Sequence, residues 1–531
     1  MFAVYYVTND KNPAISWMTP AQTACKNLHY LFTQCEDIAC RAVAPMQDTP
    51  SNKITYDAHV TVQKNYTVKM SANETRNATE HGDFKTFHFY NQIPISSYLI
   101  AIAVGELEYR SLGHRVGVIT EPCRIDAVAW ELEELETFVD KAEGYLTPYI
   151  WGHYTILILP PSFPMGGMEN PLLTFASPTI ITGDKSQVDV AIHEIAHSWT
   201  GNDVTCENWS NMWLNEGFTV FEERKVSAIL HDENFSKVNA YLGNISATSD
   251  MLGYGMNNSF SSLYPILTGG EKPDDSFSTV PYEKGFQLLY YLESLIGPES
   301  MQELLRTHVL AHSLTSIGYE TFQKHFEDFV DEKFRDTEVA GFIKSKMDWH
   351  AWVRQPGLAP VHLDFTTPAL NESQGLANEY IRLNGTGSPS NYTDYINNYY
   401  SSLRVIFLQQ LVARESEVTL EIMSKVDQDL NVTLTLDPEC KAIWLPLAIR
   451  KNYTDAIEVA HSFISTQGRQ KYLSPIYQAL LDSHQRDVAI QWFRENEDFY
   501  HPYSVEKLKK MIGITYIDLV EKIDLIEKFL E

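Results

Sequence analysis

Alternation of apolar and polar positions dominates the first hundred residues. Tyr56–Val62, Asn65–Met70 and Asp83–Tyr90 repeat with a period near two, so one strand face meets a core and the other meets water. Ser97–Val104 is a continuous apolar run and reads as a strand buried on both faces. A β-rich region is therefore expected over 1–105. From 106 to 354 strand and helix patterns mix. Leu132, Leu135, Phe138, Val139 and Leu146 share one helical stripe, which predicts a helix over Ala127–Tyr149. Tyr154–Leu159 is an apolar run of strand length. Met256–Ser278, rich in Gly, Ser, Asn and Asp, reads as loop, and Phe286–Leu295 as helix. Pro356, Gly357, Pro360, Pro368, Gly385, Gly387 and Pro389 mark 355–392 as a linker. Over 393–531 short amphipathic patterns follow one another, among them Tyr400–Arg414, Glu417–Leu430 and Ser504–Met511. They predict an all-α domain of stacked helices, solenoid-like in character.

Chemistry concentrates in Ala191–Arg224. His193 and His197 are four apart, hence on one face of a helix. Glu216 follows in Asn215-Glu216-Gly217 on a second helical pattern, Asn211–Leu230. Two imidazoles and a carboxylate, with a fourth position left for water, form a hydrolytic zinc site. Glu194, one step round the helix, is left to take a proton from the metal's water. A chance His-Glu-x-x-His on an ordinary helix is the competing reading. Ile192, Ile195 and Ala196 make the rest of that turn apolar, where unpartnered polar groups are costly, and this favours zinc. Gly201 is the expected helix stop. Other segments are less telling alone. Gly166-Gly167-Met168-Glu169 reads as an ordinary turn, Tyr282 as packing before a helix, and Arg469 with Lys471 as solvated surface.

The 531 residues suit two to four domains. A net charge of −28 argues against nucleic acid or an anionic membrane as main partner. No apolar run reaches the roughly 20 residues of a membrane span. The start, Met1–Val7, lacks a basic leader region. Six cysteines without a Cys-x-x-Cys suit a reducing compartment, so a cytoplasmic location is expected. The Asn-x-Ser/Thr sequences, for example at Asn73, Asn77 and Asn391, are read with it as ordinary surface.

His193–Trp199 and Trp213–Thr219, with Gly166–Asn170 and Val280–Gly285, resemble the zinc aminopeptidases of the M1 family. Further segments resemble its leukotriene A4 hydrolase subfamily: Trp17–Pro20, Tyr30–Cys35, Gln47–Ser51, Pro160–Pro164, His197–Asn202, Asp348–Trp352 with Pro356–Leu358, and Thr466–Lys471. They keep their order over most of the chain. The resemblance implies a multidomain α+β protein: a partial β-rich N-terminal domain, a thermolysin-like catalytic domain and a helical C-terminal domain. It implies one Zn2+ held by His193, His197 and Glu216, with Glu194 as general base and Tyr282 as donor to the oxyanion. It assigns Gly166, Gly167, Met168, Glu169, Gln34 and Glu36 to substrate, with Glu169 on the free α-amino group. Arg469 and Lys471 would hold a carboxylate end. Asp274 would serve epoxide hydrolysis or the peptide's first side chain.

Three departures from the subfamily pattern stand out. Glu36 replaces a Gln, Phe277 a Tyr, and Met165 another aromatic. A second carboxylate beside Glu169 strengthens amine binding and disfavours a fatty acid. The chain also begins inside the family's N-terminal domain, about a hundred residues in, which is expected to leave open sheet edges. The activity expected is removal of N-terminal residues from short peptides. The alternative is hydrolysis of a lipid epoxide at the same metal.

Overall fold

The computed structural model describes residues 3–9, 11–335 and 338–514. Residues 515–531, the end of the predicted helical region, lie outside the described residues. Two antiparallel sheets open the chain. One orders its strands Ile15–Met18, Tyr30–Thr33, Ile102–Gly105 and Thr67–Met70. The other places Phe84–Ser96 between Lys53–Gln63 and Asn73–His81. Their alternation brings Phe87 and Phe89 against Val68, Met70 and Ala72 in one small core. The apolar run 97–104 is not one strand. Ser97–Leu99 is a 3-10 turn, and the strand begins at Ile102. Tyr98, Leu99, Ile100 and Ala101 are buried all the same, and hydropathy reports burial rather than backbone geometry.

A five-stranded mixed sheet follows, ordered Gly167–Met168, Thr174–Ala176, Tyr154–Ile158, Val116–Thr120 and Glu108–Ser111. Tyr154–Ile158 runs parallel to both neighbours and is buried at every position. The helix expected over 127–149 is split into Ile125–Glu131 and Leu135–Tyr145, with its apolar stripe buried as predicted. Three helices build the centre: α1 (Val190–Ala196), α2 (Trp213–Leu230) and α3 (Val280–Ile296). Thirteen of the eighteen residues of α2 are buried. It therefore packs on nearly all sides, and no polar face is left for solvent.

The linker reading of 355–392 is corrected: Pro368–Leu383 is a helix. Thr367 caps it by accepting from the Leu370 N–H at 3.1 Å. Pro368 occupies the first turn, where a missing N–H costs nothing. Asn384 and Gly385 end the helix with left-handed φ of 48° and 78°. Of the prolines and glycines that suggested a linker, Pro368 and Gly385 are a helix start and stop, while Pro356, Gly357 and Pro360 lie in the irregular stretch before it. Beyond it, seven helices from Ser401–Ala413 to Pro502–Ile512 share an apolar core around Trp444, Tyr472 and Tyr477.

Cys25 and Cys123 form a disulfide. That bridge removes the cysteine-based ground for a reducing compartment. Among the described residues, no helix is long and apolar enough to cross a membrane.

Candidate metal centre and active site

The short helix α1 carries His193 and Glu194, and His197 is its C-cap. Glu216 lies in the first turn of α2, the favourable end for an acid. His193 Nε2 and His197 Nε2 are 3.2 Å apart. Glu216 Oε2 lies 3.3 Å from His197 Nε2 and 3.7 Å from His193 Nε2. Ligand atoms of tetrahedral zinc stand roughly 3.4 Å apart, given bonds near 2.1 Å. Glu216 Oε2 is buried and accepts no hydrogen bond. The trio therefore fits a divalent cation in spacing, donor type and unmet charge.

Each imidazole is oriented from behind. His193 Nδ1 lies 2.9 Å from Glu223 Oε2. His197 Nδ1 lies 2.9 Å from the Thr200 carbonyl and 3.0 Å from Thr219 Oγ1. Donation from Nδ1 leaves the Nε2 lone pair on both rings turned to the metal position. Gly201, at φ 119°, is held close to this ring. A Cβ there would stand 2.8 Å from His197 Nδ1.

Glu194 shares the cavity with the ligand trio, and its Oε1 lies against the glycine turn. A Cβ on Gly167 would fall 2.1 Å from Glu194 Oε1, so the absent side chain makes room for the carboxylate. Burial lifts Glu194 to about 7, aided by Glu169 and Glu216 and opposed by His193 and His197. We expect Gly167→Ala to cut kcat by roughly 10²-fold, the scale for displacing a reacting group by an ångström, with zinc content unchanged. Steady-state kinetics with metal analysis checks this.

Glu169 is buried, and its Oε1 accepts no hydrogen bond, His197 Nδ1 standing 4.0 Å away. Asn202 holds the segment by donating to the Glu169 carbonyl at 2.8 Å. Glu36, Glu169 and Glu216 offer carboxylate oxygens within 4.8 Å of one another. Burial raises the pKa of both Glu36 and Glu169, and Glu169 adds its charge to the rise at Glu36. Gln34 donates to Met168 Sδ at 3.3 Å, while its Oε1 is unpartnered. Tyr282 stacks against His193 at 6.2 Å between ring centroids. Burial, with Glu216 and its neighbouring carboxylates, drives its pKa up, so the phenol stays a donor. Gln34, Glu36, Glu169, Glu194, Glu216, Tyr282 and both histidines line one cavity of about 2350 Å³, together with Gly166, Gly167, Asp274, Arg469 and Lys471. Met168, which the sequence placed with them, is buried outside that lining.

Comparison with known proteins fits this geometry. The Peptidase family M1 domain matches residues 130–345, its N-terminal domain 6–99, and the leukotriene A4 hydrolase C-terminal domain 399–512. Leukotriene A-4 hydrolase of Xenopus laevis is 36% identical over 96% of this chain and 83% of its own. The chain belongs to the M1 peptidase family, in its leukotriene A4 hydrolase group. Leucine aminopeptidase 2 of Ajellomyces capsulatus is 35% identical over 93% of this chain and 78% of its own. The yeast leukotriene A4 hydrolase solved with bestatin superposes with a TM-score of 0.86, at 30% identity, over 96% of this chain and 81% of its own. Membership makes the chain a zinc-dependent metallo-aminopeptidase.

Two motifs of this M1 peptidase, distant in sequence, meet at the cavity. Gly468 N–H donates to the Pro161 carbonyl at 2.8 Å, and Gln470 N–H to Pro164 at 2.9 Å. This seats Arg469 beside Gly166, where a Cβ would stand 2.7 Å from Arg469 Nη2. Arg469 donates to neutral hydroxyls, of Thr179 at 3.3 Å and Tyr472 at 3.0 Å. Lys471 differs: it is ion-paired with Glu439 at 2.7 Å and its side chain is 56% exposed.

Sequence reasoning missed several contributors. Glu223 and Thr219 follow Glu216 by seven and three residues, so the helical period that places Glu216 also places them on its face. Asp37, hydrogen-bonded to Asp274, is held protonated up to about 8 by burial and then by that neighbour's charge. Gly285 meets Gly217: a Cβ on Gly217 would stand 2.7 Å from the Gly285 Cα. That close crossing of α2 and α3 sets Tyr282 near Glu216. Glu222 sits behind the site, accepting from Thr200 Oγ1 at 3.0 Å. Burial raises its carboxyl to about 8. The folded state then holds a proton that the unfolded chain loses above about 4.3. Stability falls as pH rises toward 8. Glu222→Gln should escape this. Its stability relative to the parent is expected to grow by about 1.4 kcal/mol per pH unit between roughly pH 5 and pH 8. Thermal melts of both proteins across that range check the sign.

Proposed function

We propose that this chain removes N-terminal residues from short peptides that carry a free amino group. The observation that carries the reading is Glu169: a buried carboxylate with an unpartnered oxygen, beside Glu36, next to the metal trio. A substrate ammonium supplies the missing donor and cation. Anchored there, only its first peptide bond reaches the metal, which makes the activity exo-acting. His193, His197 and Glu216 would hold zinc, which supplies a Lewis acid and a water of lowered pKa. Glu194 takes the water's proton and returns it to the leaving amine. The Tyr282 phenol donates to the oxygen where negative charge develops. Arg469 receives the far carboxylate of a di- to tetrapeptide, as a guanidinium can through two parallel bonds.

The test pairs zinc analysis with hydrolysis of aminoacyl anilides, free and N-acetylated. One zinc per chain with rapid turnover of free substrates alone is expected. Equal cleavage of blocked substrates would refute amine anchoring. Arg469→Ala should lower kcat/KM for tripeptides by about 10- to 100-fold, from the 1.5–3 kcal/mol of a charged hydrogen bond, and leave anilides nearly unchanged. Lys471→Ala should do less, because Glu439 already neutralises it.

Lipid epoxide hydrolysis is a second reading, favoured by Asp274 in the same cavity. Glu36, Asp37 and Glu169 crowd that cavity with acid groups and oppose a fatty-acid anion. Formation of an Asp274-dependent diol from leukotriene A4 would support this second activity.

A further inference from the structure

We propose that this chain is N-glycosylated at surface Asn-x-Ser/Thr sites and matures in an oxidising compartment. Twelve of its 27 asparagines stand in that sequence: 65, 73, 77, 208, 234, 244, 257, 371, 384, 391, 431 and 452. With 75 Ser and Thr among 531 residues, chance pairing of 27 asparagines would give about four acceptor sequences. The excess calls for a cause, and the structure supplies a second sign of it.

Nine of the twelve asparagines are exposed. Asn65 is in the turn that joins Lys53–Gln63 to Thr67–Met70, and Asn257 and Asn391 are in other turns. Asn77 lies on Asn73–His81, an edge strand of its sheet. Asn234 and Asn371 are near helix starts. Asn384, Asn431 and Asn452 end helices in the left-handed conformation, at φ 48°, 53° and 56°. A capping role explains those last three asparagines without explaining the Ser or Thr two residues on. Thr433, in the Asn431 site, has a structural role, donating to Asp427 at 2.7 Å. Thr79, in the Asn77 site, bonds His88 at 3.1 Å, and Ser259, in the Asn257 site, accepts from the Ile266 N–H at 3.4 Å. Neither contact accounts for the asparagine two residues before it. The three partly buried members divide differently. Asn208 caps a turn by accepting from the Ser210 N–H at 3.1 Å, and Asn244 accepts from Gln287 at 2.9 Å. Asn73 is half-buried. None of the nine exposed asparagines lines the catalytic cavity, so bulky groups there leave substrate access open.

The cysteines point to the same compartment. Cys25 and Cys123 are joined, and Cys123 is exposed. An accessible pair of this kind is kept reduced where glutathione and thioredoxin operate, and persists where proteins are oxidised. Cys35, Cys40, Cys206 and Cys440 are all buried, so among the described residues no free thiol is presented for mispairing. Compartments that oxidise thiols are also those that glycosylate asparagine. A glycan on Asn77 would also cover the edge strand, which otherwise offers unpaired backbone groups to other chains.

The experiment is a peptide map of the protein purified from its source cells, run non-reduced and after enzymatic deglycosylation. Glycopeptides are expected at Asn65, Asn77, Asn257 and Asn391, each read as Asn converted to Asp on glycan release. A linked Cys25–Cys123 peptide is expected in the same map. Unmodified peptides in full yield at all nine exposed asparagines would overturn the proposal, whatever the state of the cysteines. Free, directly alkylated Cys25 and Cys123 would overturn its compartment. Neither result touches the peptidase reading, which rests on different residues.

Discussion

Glu194→Gln is expected to lower kcat by roughly 10²- to 10⁴-fold, the range for a positioned general acid–base group, while zinc remains at one per chain. Glu194 is not among the converging ligand atoms, and glutamine keeps its volume in the space beside Gly167. What is lost is a carboxylate that burial has brought to about 7, able both to take and to return a proton near neutral pH. Metal analysis and steady-state kinetics on one preparation decide the matter. Undiminished turnover would show that another group accepts the proton.

The second large effect concerns Glu169. Glu169→Gln removes the buried charge that faces a substrate ammonium. Unpairing a buried charge costs about 2–5 kcal/mol, roughly 30- to several-thousand-fold in kcat/KM. The more informative number is the preference for free over N-acetylated substrates, which should collapse with it. Glu36 stands within reach of the same cluster and should retain part of the binding. Glu36→Gln added to Glu169→Gln is therefore expected to exceed either single change. If Glu169→Gln slows free and blocked substrates alike, Glu169 acts on the metal site instead of the amine.

Some of this was legible before any coordinates. The pairing of His193 with His197 follows from spacing because helical period is a local property; Glu216, on a second helix, is brought to them by packing. The buried stripe of 127–149 was equally local. The linker reading failed for a local reason too: proline and glycine mark helix ends as well as loops, and composition does not tell the two apart. Taken alone, Arg469 was surface and the 166–169 turn was ordinary. Both gained meaning from residues hundreds of positions away.

The sequence by itself determined the His193–His197 pair on one helix face and the buried stripe of 127–149, because each depends on contacts a few residues apart; Glu216 joins the pair only where α2 packs on α1. Tertiary structure decided the rest. Backbone bonds from 468 and 470 to 161 and 164 set Arg469 over the cavity, and the Gly217–Gly285 crossing brought Tyr282 to Glu216. The approach of 25 to 123 closed a bridge. Such pairings depend on how distant segments pack, and no local period encodes that.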